Sequence, residues 1–371
     1  MTHARTTVAL AAIILLTSPP CAAGPPSGAG VLTVLQPRAR IPIEDIGFLS
    51  GIAFGLNETV LLGGKAGLLS YPLSGGRPVT IVPPGMPPAG TMGVERVRSV
   101  GGIASIFSLH RQQFIVRLSD GRRLLSRAAP NFGVMDMVLA GDTLWVLGTP
   151  VNKTGADNPD GVALWRGTLA GEFSALRPVH RLAGSESSRR GFLYTPPPYA
   201  GAAAGLPDGS AWVVVASEPG LYHYDKGGRL VEILGQGLGE LVISRLEDLN
   251  WKLATDPVGR YTQILNVQPT VDDLVVTPEG PAIVVRQVSE NSVSWSLWYP
   301  AKDRLRAVVP LGLERRGPLG NLACAIRGRA LACLLGIPLS TKVTPPDVYR
   351  EKYEVVVFDL PEISTAGSPG G

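Results

Sequence analysis

One pattern constrains the fold of this chain more than any other feature. A short apolar strand, a tight turn, a second strand, another tight turn and a third strand recur along it. The pattern is clearest in Leu206-Pro-Asp-Gly-Ser-Ala-Trp-Val-Val-Val followed by Gly220-Leu-Tyr-His-Tyr-Asp-Lys-Gly-Gly-Arg-Leu-Val. Runs rich in Val, Ile and aromatic residues, bounded by Gly, Pro and Asp, read as antiparallel strands joined by reverse turns. Near-copies occupy 51–81, 103–125, 134–166 and 271–299, and a sixth unit ends at Tyr353-Glu-Val-Val-Val-Phe-Asp-Leu. Internal repetition of a four-stranded unit means that each unit buries its faces against its neighbours. Six units of four strands predict an all-β fold, a six-bladed β-propeller.

Composition agrees with that reading. The 371 residues include 45 glycines and 33 prolines, which leaves little room for long helices. A hydrophobic fraction of 45% excludes intrinsic disorder. The sixth unit lacks its outermost strand. Val31-Leu-Thr-Val-Leu35 resembles the outer strand Pro78-Val-Thr-Ile-Val82 and is expected to complete that blade and close the ring. One domain is therefore expected over 30–362, followed by a flexible tail at 363–371.

The N-terminus carries a targeting pattern. Arg5 precedes the apolar run Val8–Leu16, Pro19-Pro20 breaks it, and Cys21-Ala-Ala23 offers a small-x-small cleavage site. Nine apolar residues are too few to span a bilayer, which takes about 20. Residues 1–23 are expected to be a signal peptide, with cleavage near Ala23 and a periplasmic or extracellular destination. Ser18-Pro-Pro before Cys21 does not fit a lipoprotein site.

The formal charge of +4 is spread along the chain, with Arg122-Arg123, Arg189-Arg190 and Arg315-Arg316 as isolated pairs. A nucleic-acid binder concentrates its basic residues, so no nucleic-acid partner is expected. No membrane span is expected either, and the chain reads as a monomer. Alanine, glycine, proline and arginine dominate in a manner that suggests a GC-rich bacterium. The acceptor-like Asn57-Glu-Thr and Asn152-Lys-Thr are then expected to stay unmodified.

Cys324 and Cys333 flank a two-residue Gly328-Arg329 turn. With glycine first, as a type II′ turn prefers, Arg327 faces Ala330 and counting outward sets Cys324 opposite Cys333. That pair falls on a non-hydrogen-bonded position, where side chains approach most closely. An oxidising compartment permits a cross-strand disulfide there.

Strand parity locates the working face. Connections between first and second strands, and between third and fourth, are tight throughout. The long ones, 83–95, 150–161, 183–199, 236–270 and 338–352, all fall on the opposite face, where function concentrates on a rigid scaffold. Within the largest, Val242, Leu246, Leu249 and Leu253 predict an amphipathic helix over 241–254 that also presents Arg245 and Trp251. Tyr194 and Tyr199 flank Pro196-Pro-Pro198 in a neighbouring loop. Acidic residues recur near the starts of the innermost strands. Asp136, Asp273, Arg245, Trp251 and Tyr194 are therefore the candidate contacts for a small molecule or partner protein.

The turns Gly51-Ile-Ala-Phe, Leu206-Pro-Asp-Gly209 and Thr277-Pro-Glu-Gly280 resemble those of NHL-repeat and gluconolactonase-type propellers. In calcium-dependent lactonases of that type, Glu, Asn and Asp from different blades converge on one ion. The resemblance would place Glu44, Asn131, Asp136, Asn266 and Asp273 in such a set, as hard oxygen ligands suited to calcium. Two functions follow: an exported binding propeller without a catalytic motif, or a calcium-dependent lactonase, hydrolase or lyase with an acidic general base. No Gly-x-Ser-x-Gly, phosphate loop or cysteine nucleophile is present. His110, His180 and His223 have no partner at triad or ligand spacing and read as ordinary surface or core histidines.

Overall fold

Six short meanders of strands, each turning back on itself through Gly, Asp and Asn residues, make up the described chain. A computed structural model describes residues 30–43, 49–64, 67–82, 94–108, 112–120, 122–128, 132–152, 155–156, 161–169, 175–182, 201–215, 218, 220–236, 269–288, 292–316, 322–338 and 351–363. No α-helix occurs among these residues, and none of their segments is a helix long and apolar enough to cross a membrane.

The chain is a six-bladed β-propeller. The blades begin with the innermost strands Leu49–Phe54, Val94–Val100, Phe132–Ala140, Gly201–Gly205, Thr270–Thr277 and Leu322–Arg327. In blades one to five the next three strands follow outward in sequence order. Each innermost strand packs on the next, and the sixth returns to the first. The ring is closed.

An N-terminal strand does complete the sixth blade, but it lies further along the chain than expected. Ala39–Ile43 pairs antiparallel with Glu351–Asp359, with Ile41 opposite Val355. Arg38 Nη1 meets Asp359 Oδ1 at 2.7 Å, Arg40 pairs with Glu354, and Ile43 enters the core. Val31–Leu35, which carries no charge to match Glu354 or Asp359, runs elsewhere. Gly30–Val31 pairs in parallel with Leu305–Arg316 of the fifth blade, and Leu35 bridges Leu311. Leu32 and Leu35 pack on the core between the fifth and sixth blades, which leaves Val31 and Val34 exposed.

The cysteine hairpin forms as read. Cys324 faces Cys333 and the two are disulfide-bonded. Gly328 has φ 57° while Arg329 stays at negative φ, the combination of a type II′ turn. The long connections leave the described strands at the ends expected from parity, for example between Val82 and Val94 and between Leu234 and Thr270. The helix expected over 241–254 lies outside the described residues.

Replacing both Cys324 and Cys333 by serine opens a short loop, so a loss of about 2–3 kcal/mol is expected on the chain-entropy scale. Denaturant unfolding of the double variant measures that loss, and circular dichroism should show the β fold retained.

Candidate functional site

An innermost strand has a neighbour on one edge only. Alternate N–H groups therefore face the channel and must find acceptors elsewhere. Side chains from the same or the preceding blade supply them. Asp136 Oδ1 accepts from Met137 N at 2.9 Å and Oδ2 from Ala203 N of the fourth blade at 3.0 Å. Asp273 accepts from Leu274 N and from Cys324 N of the sixth blade, both at 2.8 Å. Asp272 Oδ2 takes Leu322 N at 2.9 Å and Trp295 Nε1 at 2.7 Å. Ser105 Oγ takes Leu139 N at 2.8 Å.

Backbone irregularities aim these groups. Strand register shifts between Val134 and Asp136 and between Val271 and Asp273, and also between Val94 and Arg96. A bulge of this kind redirects the side chain that follows it.

Two arginines of the second blade cross the channel to meet the carboxylates. Arg98 Nη2 lies 2.5 Å from Asp136 Oδ2 and 2.7 Å from Asp273 Oδ1. Arg96 Nη1 lies 3.3 Å from the same Asp273 oxygen. The second and fifth blades are opposite in a six-membered ring, so these contacts span the axis. Other inner strands are built of small residues, Gly-Ala-Ala-Ala-Gly over Gly201–Gly205 and Ala323-Cys-Ala325 in the sixth blade.

Asp136, Asp272 and Asp273 are at most 1% exposed. Burial opposes the charge of Asp136, but Arg98, Arg96 and the N–H donors outweigh it and hold its carboxyl below the usual range. Burial likewise opposes the charge of Arg98, and Asp136 and Asp273 reverse the balance, keeping it protonated far above neutrality. Asp272 differs. Burial pushes its carboxyl up, and Arg286, 3.7 Å from Oδ1, offsets this only in part.

The structure thus joins two of the expected site residues, Asp136 and Asp273, through Arg98. At this pair the donor set does not fit a calcium ion, because guanidinium and backbone N–H groups already occupy the oxygens. Among the described residues no three His, Cys, Asp or Glu side chains are placed to hold a metal together. Glu44, Asn131, Asn266, Arg245, Trp251 and Tyr194 lie outside the described residues.

Two sets of residues were not foreseen. Arg96 and Arg98 stand two apart in Val94-Glu-Arg-Val-Arg, and paired charges in an innermost strand were the available signal. His180, expected to be ordinary, is buried between the third and fourth blades. Its Nε2 lies 2.6 Å from Glu218 Oε2 and its Nδ1 2.5 Å from the Tyr224 hydroxyl, while Tyr222 donates to Glu218 at 3.0 Å. Burial, followed by the Glu218 charge, raises both tyrosine hydroxyls above their ordinary range. His223 stacks on Trp212 with ring centroids 4.4 Å apart.

No protein-family model and no curated protein matches the chain in sequence. Solved structures match in shape. A Bacteroides fragilis protein whose name assigns it to export aligns with TM-score 0.53 at 11% identity, over 87% of this chain and 95% of that one. U3-55K aligns with TM-score 0.50 at 10% identity, over 87% and 100%. The calcium-binding protein regucalcin from Agrobacterium tumefaciens aligns with TM-score 0.47 at 12% identity, over 89% and 97%. At such identities the likeness is one of fold.

Replacing Arg98 by methionine strands two buried carboxylates, so a loss of about 3–5 kcal/mol is expected. An Arg98→Met/Asp136→Asn double variant should lose less than the sum of its single variants, which chemical denaturation of all three measures. Because the folded Asp136 carboxyl sits below its unfolded value of 3.8, its contribution is full above that value and fades as pH falls through the folded one. Asp136→Asn should therefore flatten the acid limb of stability against pH.

Proposed function

We propose that the protein is an exported propeller that binds a small molecule or a partner protein on the face bearing the long connections, and that it catalyses no reaction. The observation that carries this reading is the asymmetry of the two faces. The turns joining first to second strands are short, for example 101–102, 141–142, 278–279 and 328–329, whereas the connections over 83–93, 183–200, 237–268 and 339–350 all emerge at the other end. Variable loops on a rigid ring are a general means of building a recognition surface. Arg245, Trp251 and Tyr194 are the contacts we assign to it. Export rests on the charged start, apolar run and cleavage pattern of residues 1–23.

The engagement of Asp136 and Asp273 by arginine favours binding over calcium-assisted hydrolysis. A general base needs an oxygen free to take a proton, and a calcium ion needs oxygens not shared with cations.

The test is a saturation-transfer NMR screen of a small-molecule library against the mature protein, repeated on an Arg245→Ala/Trp251→Ala variant of unchanged melting temperature. Compounds that bind the parent should lose most of their signal on the variant. Hits that persist would remove the site from the 241–254 segment. A calcium titration by calorimetry is expected to show no stoichiometric binding; one ion per chain, lost in Asp273→Asn, would put the lactonase reading first.

A further inference from the structure

Each blade ends in an outer strand with one edge that no blade pairs. Such edges recruit further strands unless something blunts them. In five blades something does. Val79–Val82 sits between Pro78 and Pro83, and Arg123–Ala128 carries Arg123 and Arg127. Arg177–Arg181 reads Arg-Pro-Val-His-Arg, and Ala39–Ile43 contains Arg40 and Pro42. The outer strand of the fifth blade is covered by Gly30–Val31.

The fourth blade has only one bulge and one acidic residue. Leu230–Leu234 reads Leu-Val-Glu-Ile-Leu, with no proline, no basic residue and no covering segment among the described residues. Leu230 is 43% and Val231 55% exposed, and Glu232 is exposed between apolar neighbours. A register shift beside Tyr224 leaves Val231 bulged. From there the pairing is regular, with Glu232 opposite His223, Ile233 opposite Tyr222 and Leu234 opposite Leu221. No backbone group on the outward edge of these five residues bonds another described residue.

We propose that this edge is the docking site for an extended segment of a partner protein, one that places a lysine or arginine opposite Glu232 and apolar residues opposite Val231 and Ile233. Charge selects the occupant. A second copy paired antiparallel about Glu232 would set glutamate directly against glutamate, which is repulsive, whereas a basic residue there is attractive. Arg229, the basic residue nearest in sequence, is turned onto Asp225 at 3.1 Å within its own turn. The chain itself demonstrates the mode. Its N-terminal segment lies on the fifth blade through Leu32 N to Val308 O at 2.9 Å and Leu35 N to Pro310 O at 2.8 Å. Main-chain bonds of this kind supply affinity, and alternate side chains supply specificity.

The probes are two fluorescein-labelled pentapeptides, Thr-Val-Lys-Val-Thr and Thr-Val-Glu-Val-Thr, titrated against the full chain at neutral pH. The lysine peptide is expected to bind about tenfold more tightly than the glutamate peptide and to slow amide hydrogen exchange over 230–234. Glu232→Lys should reverse the preference, and Val231→Lys should abolish binding by both, with melting temperatures unchanged because both positions are exposed. Equal affinity for the two peptides overturns the proposal. So does protection that falls outside 230–234, an unaltered preference in Glu232→Lys, or a self-associated parent chain whose dissociation by Val231→Lys shows the edge already paired with a copy of itself.

Discussion

The ring depends on how its innermost strands satisfy the N–H groups that face the channel. No further strand can pair with them, and the side chains that meet them are buried. Carboxylates do the work: Asp136, Asp272 and Asp273 each cap an N–H of the next blade. Buried carboxylates then demand cations, because a charge in a low-dielectric interior is sustainable only when paired and hydrogen-bonded. Arg96 and Arg98 meet that demand at Asp136 and Asp273, and Arg286 meets it in part at Asp272. The inner strands also pack closely on one another, since a Cβ at Gly51 would come within 2.9 Å of the Val97 backbone N in the next blade. Backbone satisfaction and charge pairing are thus one linked constraint.

A consequence concerns where recognition can occur. With guanidinium groups bridging the second, third and fifth blades, the middle of the channel belongs to the scaffold. The chain's remaining freedom lies in its connections and in its outer edges. Both differ in composition from the strands they border. The connections of one face lengthen, while the outer edges of five blades carry proline, arginine or a covering segment and that of the fourth blade does not.

How much of this was legible follows from the range of each determinant. Turn chemistry is local, so Leu206-Pro-Asp-Gly and its counterparts revealed the repeat and the number of blades. The Cys324–Cys333 pairing was equally legible, because a two-residue turn fixes register by counting. The closing strand was misplaced by one segment, since Val31–Leu35 and Ala39–Ile43 are both short runs rich in apolar residues. What separates them is the pairing of Arg38 with Asp359 and of Arg40 with Glu354, more than three hundred residues away. Asp136 and Asp273 were legible as notable acids at inner strands, but their partners were not. Arg98 reaches them from the second blade, and nothing in its local sequence points to the fifth. The partners of His180 were hidden for the same reason, as Glu218 and Tyr224 belong to another blade.

The junction of the third and fourth blades shows why those long-range polar contacts are needed. The inner strand of the fourth blade, Gly-Ala-Ala-Ala-Gly, offers almost no side-chain surface near the axis. Each of the four stacked strands of the third blade compensates with one residue in polar contact with the fourth. From the axis outward, Asp136 accepts from Ala203 N at 3.0 Å and Trp145 Nε1 donates to Gly209 O at 3.0 Å. Arg166 Nε then donates to Lys226 O at 2.6 Å, and His180 meets Glu218 and Tyr224. Hydrogen bonds are directional where apolar burial is not, so this series fixes the angle between two blades that hydrophobic packing alone would leave loosely specified. The small inner strand of the fourth blade is thus held in place by contacts spread across the full width of its neighbour.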